Sequence, residues 1–216
     1  MKRSPAEGLD AVVPVRAKSN TEPAWLFYAQ TCYENSALEQ ALRKPLQKAH
    51  ASVFDALANP VRAALPELGI QTPTQPQALA IPRILRGKNV LLISPTASGK
   101  TEATLLPVLS RLITNGRRKG IAVLYVTPLR ALNRDLFKRA TQLTAKIGVR
   151  CEIRHGDTPA SQRRKQSKDP PEMLITTPET LQAILPSRAM RRHLRHVQTV
   201  VVDEIHELAE DKRERS

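Results

Sequence analysis

Five short apolar runs punctuate the second half of the chain: NVLLIS (89–94), IAVLYV (121–126), VRCEIR (149–154), EMLITT (172–177) and VQTVVV (197–202). They are β-branched and nearly continuous rather than alternating, the pattern of strands buried on both faces of a parallel sheet. Between them, residues 101–114, 129–145, 159–168 and 178–185 carry helix-compatible sequence. The repeated β-α order predicts right-handed crossovers and an open, mainly parallel, doubly wound α/β sheet with helices on both faces. Ligands of such sheets sit beyond the carboxyl ends of the strands, so the residues that follow each run are the candidates for chemistry.

Upstream, residues 53–87 read as short helices punctuated by Pro60, Pro66, Pro73 and Pro76. The aromatic cluster WLFYAQTCY has a different period: Trp25, Tyr28, Ala29, Cys32 and Tyr33 share one helical face, with Thr21 as N-cap ahead of Pro23. A second amphipathic helix is expected over 36–48, through Leu38, Leu42 and Leu46. The reading is a disordered tail over 1–20, a small helical extension over 21–51 and one large domain over 52–216.

Composition narrows the class. The 216 residues are 41% hydrophobic and 25% charged, and no apolar run approaches the ~18 residues of a membrane span. Pro14, Arg16 and Lys18 interrupt what would be the apolar centre of a secretion signal, so a cytoplasmic protein without a membrane partner is expected. Cys32 and Cys151 lie far apart, outside any metal-ligand spacing, and read as ordinary thiols.

Charge adds a partner. Of the net +14, residues 111–168 alone hold 15 Lys or Arg against three acids, a local +12, and RAMRRHLRH (188–196) adds four arginines. Such a field draws a polyanion and predicts salt-sensitive binding, although a solvated basic surface would look the same from charge alone. Seven aromatics are too few for a base-stacking platform, so nucleic acid would be held mainly by its backbone.

The first run leads into Ser94-Pro95-Thr96-Ala97-Ser98-Gly99-Lys100-Thr101, a phosphate-binding loop pattern in which Ser94 replaces the first glycine. Turning from a strand into a helix N-terminus, such a loop aims backbone N–H groups of Thr96, Ala97, Ser98 and Gly99 at one anion. Lys100 reaches the outer phosphates of ATP and the Thr101 hydroxyl can ligate Mg²⁺. The last run ends in Asp203-Glu204-Ile205-His206, where Asp203 suits a second Mg²⁺ anchor and Glu204 a general base for water. Either motif alone has an ordinary structural explanation; together they specify nucleoside triphosphate hydrolysis.

Over roughly residues 52–212 the chain resembles the first motor domain of a superfamily 2, DEAD/DEAH-box-like helicase. SPTASGKTEA matches motif I, TPLRAL (127–132) motif Ia, TTPETL (176–181) motif Ib and DEIH motif II. HGDTPASQR (155–163) and DEIHELAEDKR (203–213) are most similar to the large helicase-related, Lhr-type DNA helicases, with the Ski2-like helicases second. The resemblance implies a RecA-like fold and an ATP-dependent helicase or translocase acting on DNA rather than RNA. It assigns Gln77 to the adenine base, Thr127, Pro128, Arg130, Gly156, Asp157, Thr177, Pro178 and Glu179 to the nucleic-acid backbone, and His206 to coupling between the two sites. Arg117, Arg118, Arg163 and Arg164 read as diffuse electrostatic surface. Because the sequence given stops at Ser216, ahead of the Ser-Ala-Thr motif and the second motor domain, a truncated motor is expected. A non-unwinding nucleotide- or nucleic-acid-binding remnant is the alternative, and a second motor domain supplied elsewhere a possible partner.

Overall fold

The computed structural model describes the backbone of residues 11–15 and 25–28, and residues 53–207 apart from 96, 117–118, 130–133 and 206. Seven strands form one sheet: β1 (Ala11–Val15), β2 (Trp25–Tyr28), β3 (Asn89–Ile93), β4 (Val123–Val126), β5 (Cys151–Arg154), β6 (Met173–Thr176) and β7 (Thr199–Val202), in the order β1-β3-β2-β7-β4-β6-β5. All pairs are parallel except β1 with β3. All five expected runs are strands, each slightly shorter than its run.

The helices are α1 (Asn59–Ala64), α2 (Gln75–Leu85), α3 (Lys100–Thr114), α4 (Arg134–Lys146), α5 (Ala160–Lys168), α6 (Pro178–Ile184) and α7 (Arg188–Leu194). Alternation along the strands builds two cores. Val123 and Tyr125 of β4 pack with Met173, Ile175 and Val201 on the face covered by α1 to α4. Leu124 and Val126 pack with Leu174, Val200, Ile184 and Met190 on the opposite face, beneath α6 and α7. None of the described helices is long and apolar enough to cross a membrane.

Two expectations are corrected. Trp25–Tyr28 is not helical but extended, as β2 between β3 and β7. Its four apolar residues suit a slot flanked by parallel strands on both sides, and that long-range pairing outweighs a helical period carried by only nine residues. Ala11–Val15, within the expected disordered tail, is the edge strand β1, antiparallel to β3. The sheet therefore draws on residues ahead of the expected boundary at 52, and the helix expected over 36–48 lies outside the described residues. Between β6 and β7, RAMRRHLRH, read only as charge, forms α7, capped by Ser187, whose hydroxyl accepts from the Met190 N–H at 3.5 Å.

Leu106 of α3 is fully enclosed in the larger core. Leu106→Ala should lower unfolding free energy by about 2–5 kcal/mol in urea denaturation, the usual cost of a leucine-sized cavity. Burial pushes the Cys151 thiol up to about 12, against a hydrogen bond with Thr144. Cys151 should therefore resist alkylation at pH 8 in the folded chain and react on unfolding, as peptide mapping would show.

Candidate functional site

Parallel pairing brings the carboxyl ends of β3, β7, β4, β6 and β5 to one edge of the sheet, and the residues beyond those ends form a single rim. At the β3 end, Ser94 is buried; its carbonyl accepts from Lys100 Nζ at 3.0 Å and its hydroxyl bonds that of Ser98. What serine adds over glycine is the hydroxyl bond to Ser98, since the tie to Lys100 uses the backbone carbonyl. Ala97 does adopt one, at φ 60°, and Gly99 caps α3 at φ 84°.

Gly99 is required for a second reason. A Cβ there would meet Gln77 Nε2 at 2.7 Å and Thr74 Oγ1 at 3.2 Å, because the capping box of α2 presses on the phosphate loop. Gln77 Oε1 accepts from the Thr74 N–H at 3.1 Å while Nε2 donates to the Gly99 carbonyl at 3.3 Å. The amide expected at the base is thus spent first on joining α2 to the loop. Its second Nε2 hydrogen and second Oε1 lone pair remain for a ligand. Beside it opens a cavity of about 630 Å³ lined by Gly69, Ile70, Thr72, Thr74, Gln77 and Glu102.

At the β7 tip, Asp203 is buried. Tyr125 of β4 donates its hydroxyl to Asp203 Oδ2 at 2.7 Å, and the Glu204 N–H donates to Oδ1 at 3.0 Å. Burial raises the Asp203 carboxyl above its ordinary range, opposed by the Tyr125 hydrogen bond and by the charge of Lys100. Burial, then the Asp203 charge, likewise drives the Tyr125 phenol well up, so it stays a donor. Glu204 is held at φ 48°, a left-handed conformation that costs a residue with a side chain about 1–3 kcal/mol. The charge of Lys100 thus acts on the Asp203 carboxyl, with Thr101 following Lys100 at the start of α3 and Glu204 following Asp203 beyond β7. A lysine opposite a buried carboxylate beside a threonine hydroxyl is a donor set that fits Mg²⁺ with a phosphate chain.

The rest of the rim follows β4, β6 and β5. Thr127 and Pro128 are buried, the Thr127 hydroxyl without a partner among the described residues. Thr177 is also buried and accepts from the Thr180 N–H at 3.3 Å as the N-cap of α6, so its hydroxyl serves the fold before any ligand. Pro178 is half-buried, whereas Glu179, Gly156 and Asp157 are exposed. These loops bring two exposed carboxylates and, among their described residues, no lysine or arginine. Thr96, Arg130 and His206 lie outside the described residues.

With both halves of the rim in place, comparison with known proteins is decisive. Residues 74–216 match the DEAD/DEAH box helicase family model. The chain belongs to that family. Its likeness within the family is to the Lhr-type helicases: 38% identity over 178 residues with ATP-dependent helicase Lhr-Core protein 2 of Thermococcus barophilus, covering 74% of this chain and 20% of that protein. The Lhr helicase/uracil glycosylase of Escherichia coli is 40% identical over 163 residues, covering 66% of this chain and 10% of that protein. Among solved structures, the Mycobacterium smegmatis helicase Lhr bound to ssDNA and AMP-PNP superposes with a TM-score of 0.63 at 38% identity, covering 71% of this chain and 21% of that one. The chain spans a fifth or less of the length of these two curated relatives. The helicase family and its RecA-like α/β fold agree with what the motifs implied.

Sequence reasoning missed Tyr125, which sits inside an apolar run and reads as core. Its signal was available: a phenol buried in a central strand needs a partner for its hydroxyl, and the strand tips were the nearest polar atoms. Tyr125→Phe keeps the ring and removes the donor. Losing a hydrogen bond to a charged group should lower stability by about 1.5–3 kcal/mol. An unchanged midpoint in chemical denaturation would contradict that bond.

Proposed function

We propose that the chain is the ATP-binding motor domain of an ATP-dependent nucleic-acid helicase, holding ATP at the β3–β7 half of the rim and one nucleic-acid strand along the β4–β6–β5 half. The observation that carries this reading is the adjacency of the halves: β7, which ends in Asp203, pairs directly with β4, and the Asp203 N–H donates to the Val126 carbonyl at 2.8 Å, one residue before Thr127.

In this reading the backbone N–H groups of Thr96 to Gly99 cradle the phosphates and Lys100 exchanges the Ser94 carbonyl for a phosphate oxygen. Gln77 and the cavity beside it take the base. Thr101 and Asp203 would hold Mg²⁺, which when bound supplies positive charge to the phosphoryl group in transfer. Glu204 accepts a proton from water as the water oxygen bonds to the γ-phosphorus, while the bridging P–O bond breaks and its electron pair leaves with ADP. Tyr125 positions the Asp203 carboxylate. His206, two residues beyond Glu204, couples the halves.

Thr127, Pro128, Arg130, Gly156, Asp157, Thr177, Pro178 and Glu179 contact the strand through its backbone, with no base readout. DNA is favoured over RNA, supported by the ssDNA bound to the Mycobacterium smegmatis relative. Strand separation needs a second motor domain closing on the same strand, and the same reading places the protein in the cytoplasm.

Lys100→Ala removes charge-assisted contacts worth about 1.5–3 kcal/mol each and should weaken nucleotide binding at least tenfold in a calorimetric titration. Glu204→Gln should retain binding and lose at least about a hundredfold in hydrolysis. Unchanged affinity in the first variant, or unchanged turnover in the second, would overturn the assignment.

A further inference from the structure

Two of the three loops assigned to the strand contribute carboxylates, yet the chain is strongly basic, and described positive charge gathers between α5 and α7. An open cavity of about 780 Å³ lies between α5 and α7, walled by Arg154, Arg163, Arg164, Lys168, Arg192 and His193, and no acidic residue lines it. None of the six forms an ion pair with a described residue, whereas nearby Arg150 gives two N–H bonds to Asp169, at 2.6 and 3.1 Å. Arg154 donates only to the Arg163 carbonyl at 3.3 Å and the Met190 sulfur at 3.7 Å, and its Nε is enclosed without a partner among the described residues. Five cations around one concavity repel each other, and an anion relieves that repulsion.

We propose that this cavity is a second phosphate seat for the nucleic acid, taking the backbone of the same single strand after it leaves the Gly156–Asp157 loop. The inference rests on the strand path proposed above. Two observations choose this occupant over a small phosphorylated molecule. The cavity is continuous with the path, since the Arg163 guanidinium donates to the Thr158 carbonyl at 2.5 Å and to the Gly156 carbonyl at 2.9 Å, so one side chain forms both the cavity wall and the base of the loop. The loops after β4, β6 and β5 also succeed one another toward the open edge of the sheet, and the cavity begins at that last strand, since Arg154, which ends β5, is one of its walls and donates to Met190 of α7. Its charges are spread along two helices, which matches a repeating anion better than a single one. Arg163 and Arg164, read from sequence as diffuse surface, become part of a defined seat.

The test uses the whole 216-residue chain and a labelled oligodeoxythymidylate, with binding followed by fluorescence anisotropy from about 50 to 200 mM salt. The variant Arg164→Ala/Lys168→Ala/Arg192→Ala is compared with Arg86→Ala/Lys88→Ala/Lys138→Ala, which removes the same charge from exposed residues beside and on the helices of the opposite face of the sheet. Each lost phosphate contact on a single strand flattens the slope of log affinity against log salt by about 0.7, so the cavity variant should be shallower by about 2 and at least about tenfold weaker at low salt. The control should keep the wild-type slope, and both variants the wild-type affinity for an ATP analogue. Lys168→Glu repeats the test with one exposed substitution and should weaken binding more than Lys88→Glu. Equal losses in cavity and control variants would overturn the seat while leaving the strand path intact. A wild-type chain that binds no oligonucleotide would overturn both.

Discussion

Parallel pairing is the constraint on which everything else rests. A parallel strand can be followed by its neighbour only after the chain has crossed back over the sheet, so β3, β4, β5, β6 and β7 all point the same way and release their functional residues at one edge. Nothing local to SPTASGKT or DEIH brings them together; about a hundred residues separate them, and the sheet closes that distance. Were any of these five strands antiparallel, its loop would emerge at the far end and the rim would lose that member.

Along the rim, the strand order sorts the chemistry. The β3 and β7 ends carry the phosphate loop and the acidic pair, while the β4, β6 and β5 ends, consecutive in the sheet, carry the loops assigned to the strand. The border falls between β7 and β4, and it is rigid. Asp203 is fixed there on three sides, by the Tyr125 hydroxyl, by the Glu204 N–H and through its own N–H on the Val126 carbonyl. A buried carboxyl held this firmly is a costly arrangement for a fold to keep unless its charge serves a ligand.

How much of this the sequence disclosed follows from the range of each signal. NVLLIS or VQTVVV identifies itself as a buried strand within a few residues, and the phosphate loop is a contiguous pattern with contiguous consequences. The aromatic segment around Trp25 is ambiguous at that range: its helical spacing is real, and only the vacancy between β3 and β7 makes it a strand. The same limit hid the partner of Tyr125, which lies on another strand, and the tie between Gln77 and Gly99, which joins two helices. RAMRRHLRH announced charge but not shape, because the cavity it walls is completed by α5.

The claim that one rim is divided between two ligands is tested most directly by hydrogen exchange measured by mass spectrometry, with the chain bound in turn to an ATP analogue and to an oligodeoxynucleotide. The account predicts two adjacent footprints: nucleotide protects the loop from Ser94 to Thr101 and the segment around Gln77, and the oligonucleotide protects the segments around Thr127, Gly156 and Thr177. Protection of the loop from Ser94 to Thr101 by the oligonucleotide, or one footprint shared by both ligands, would contradict it.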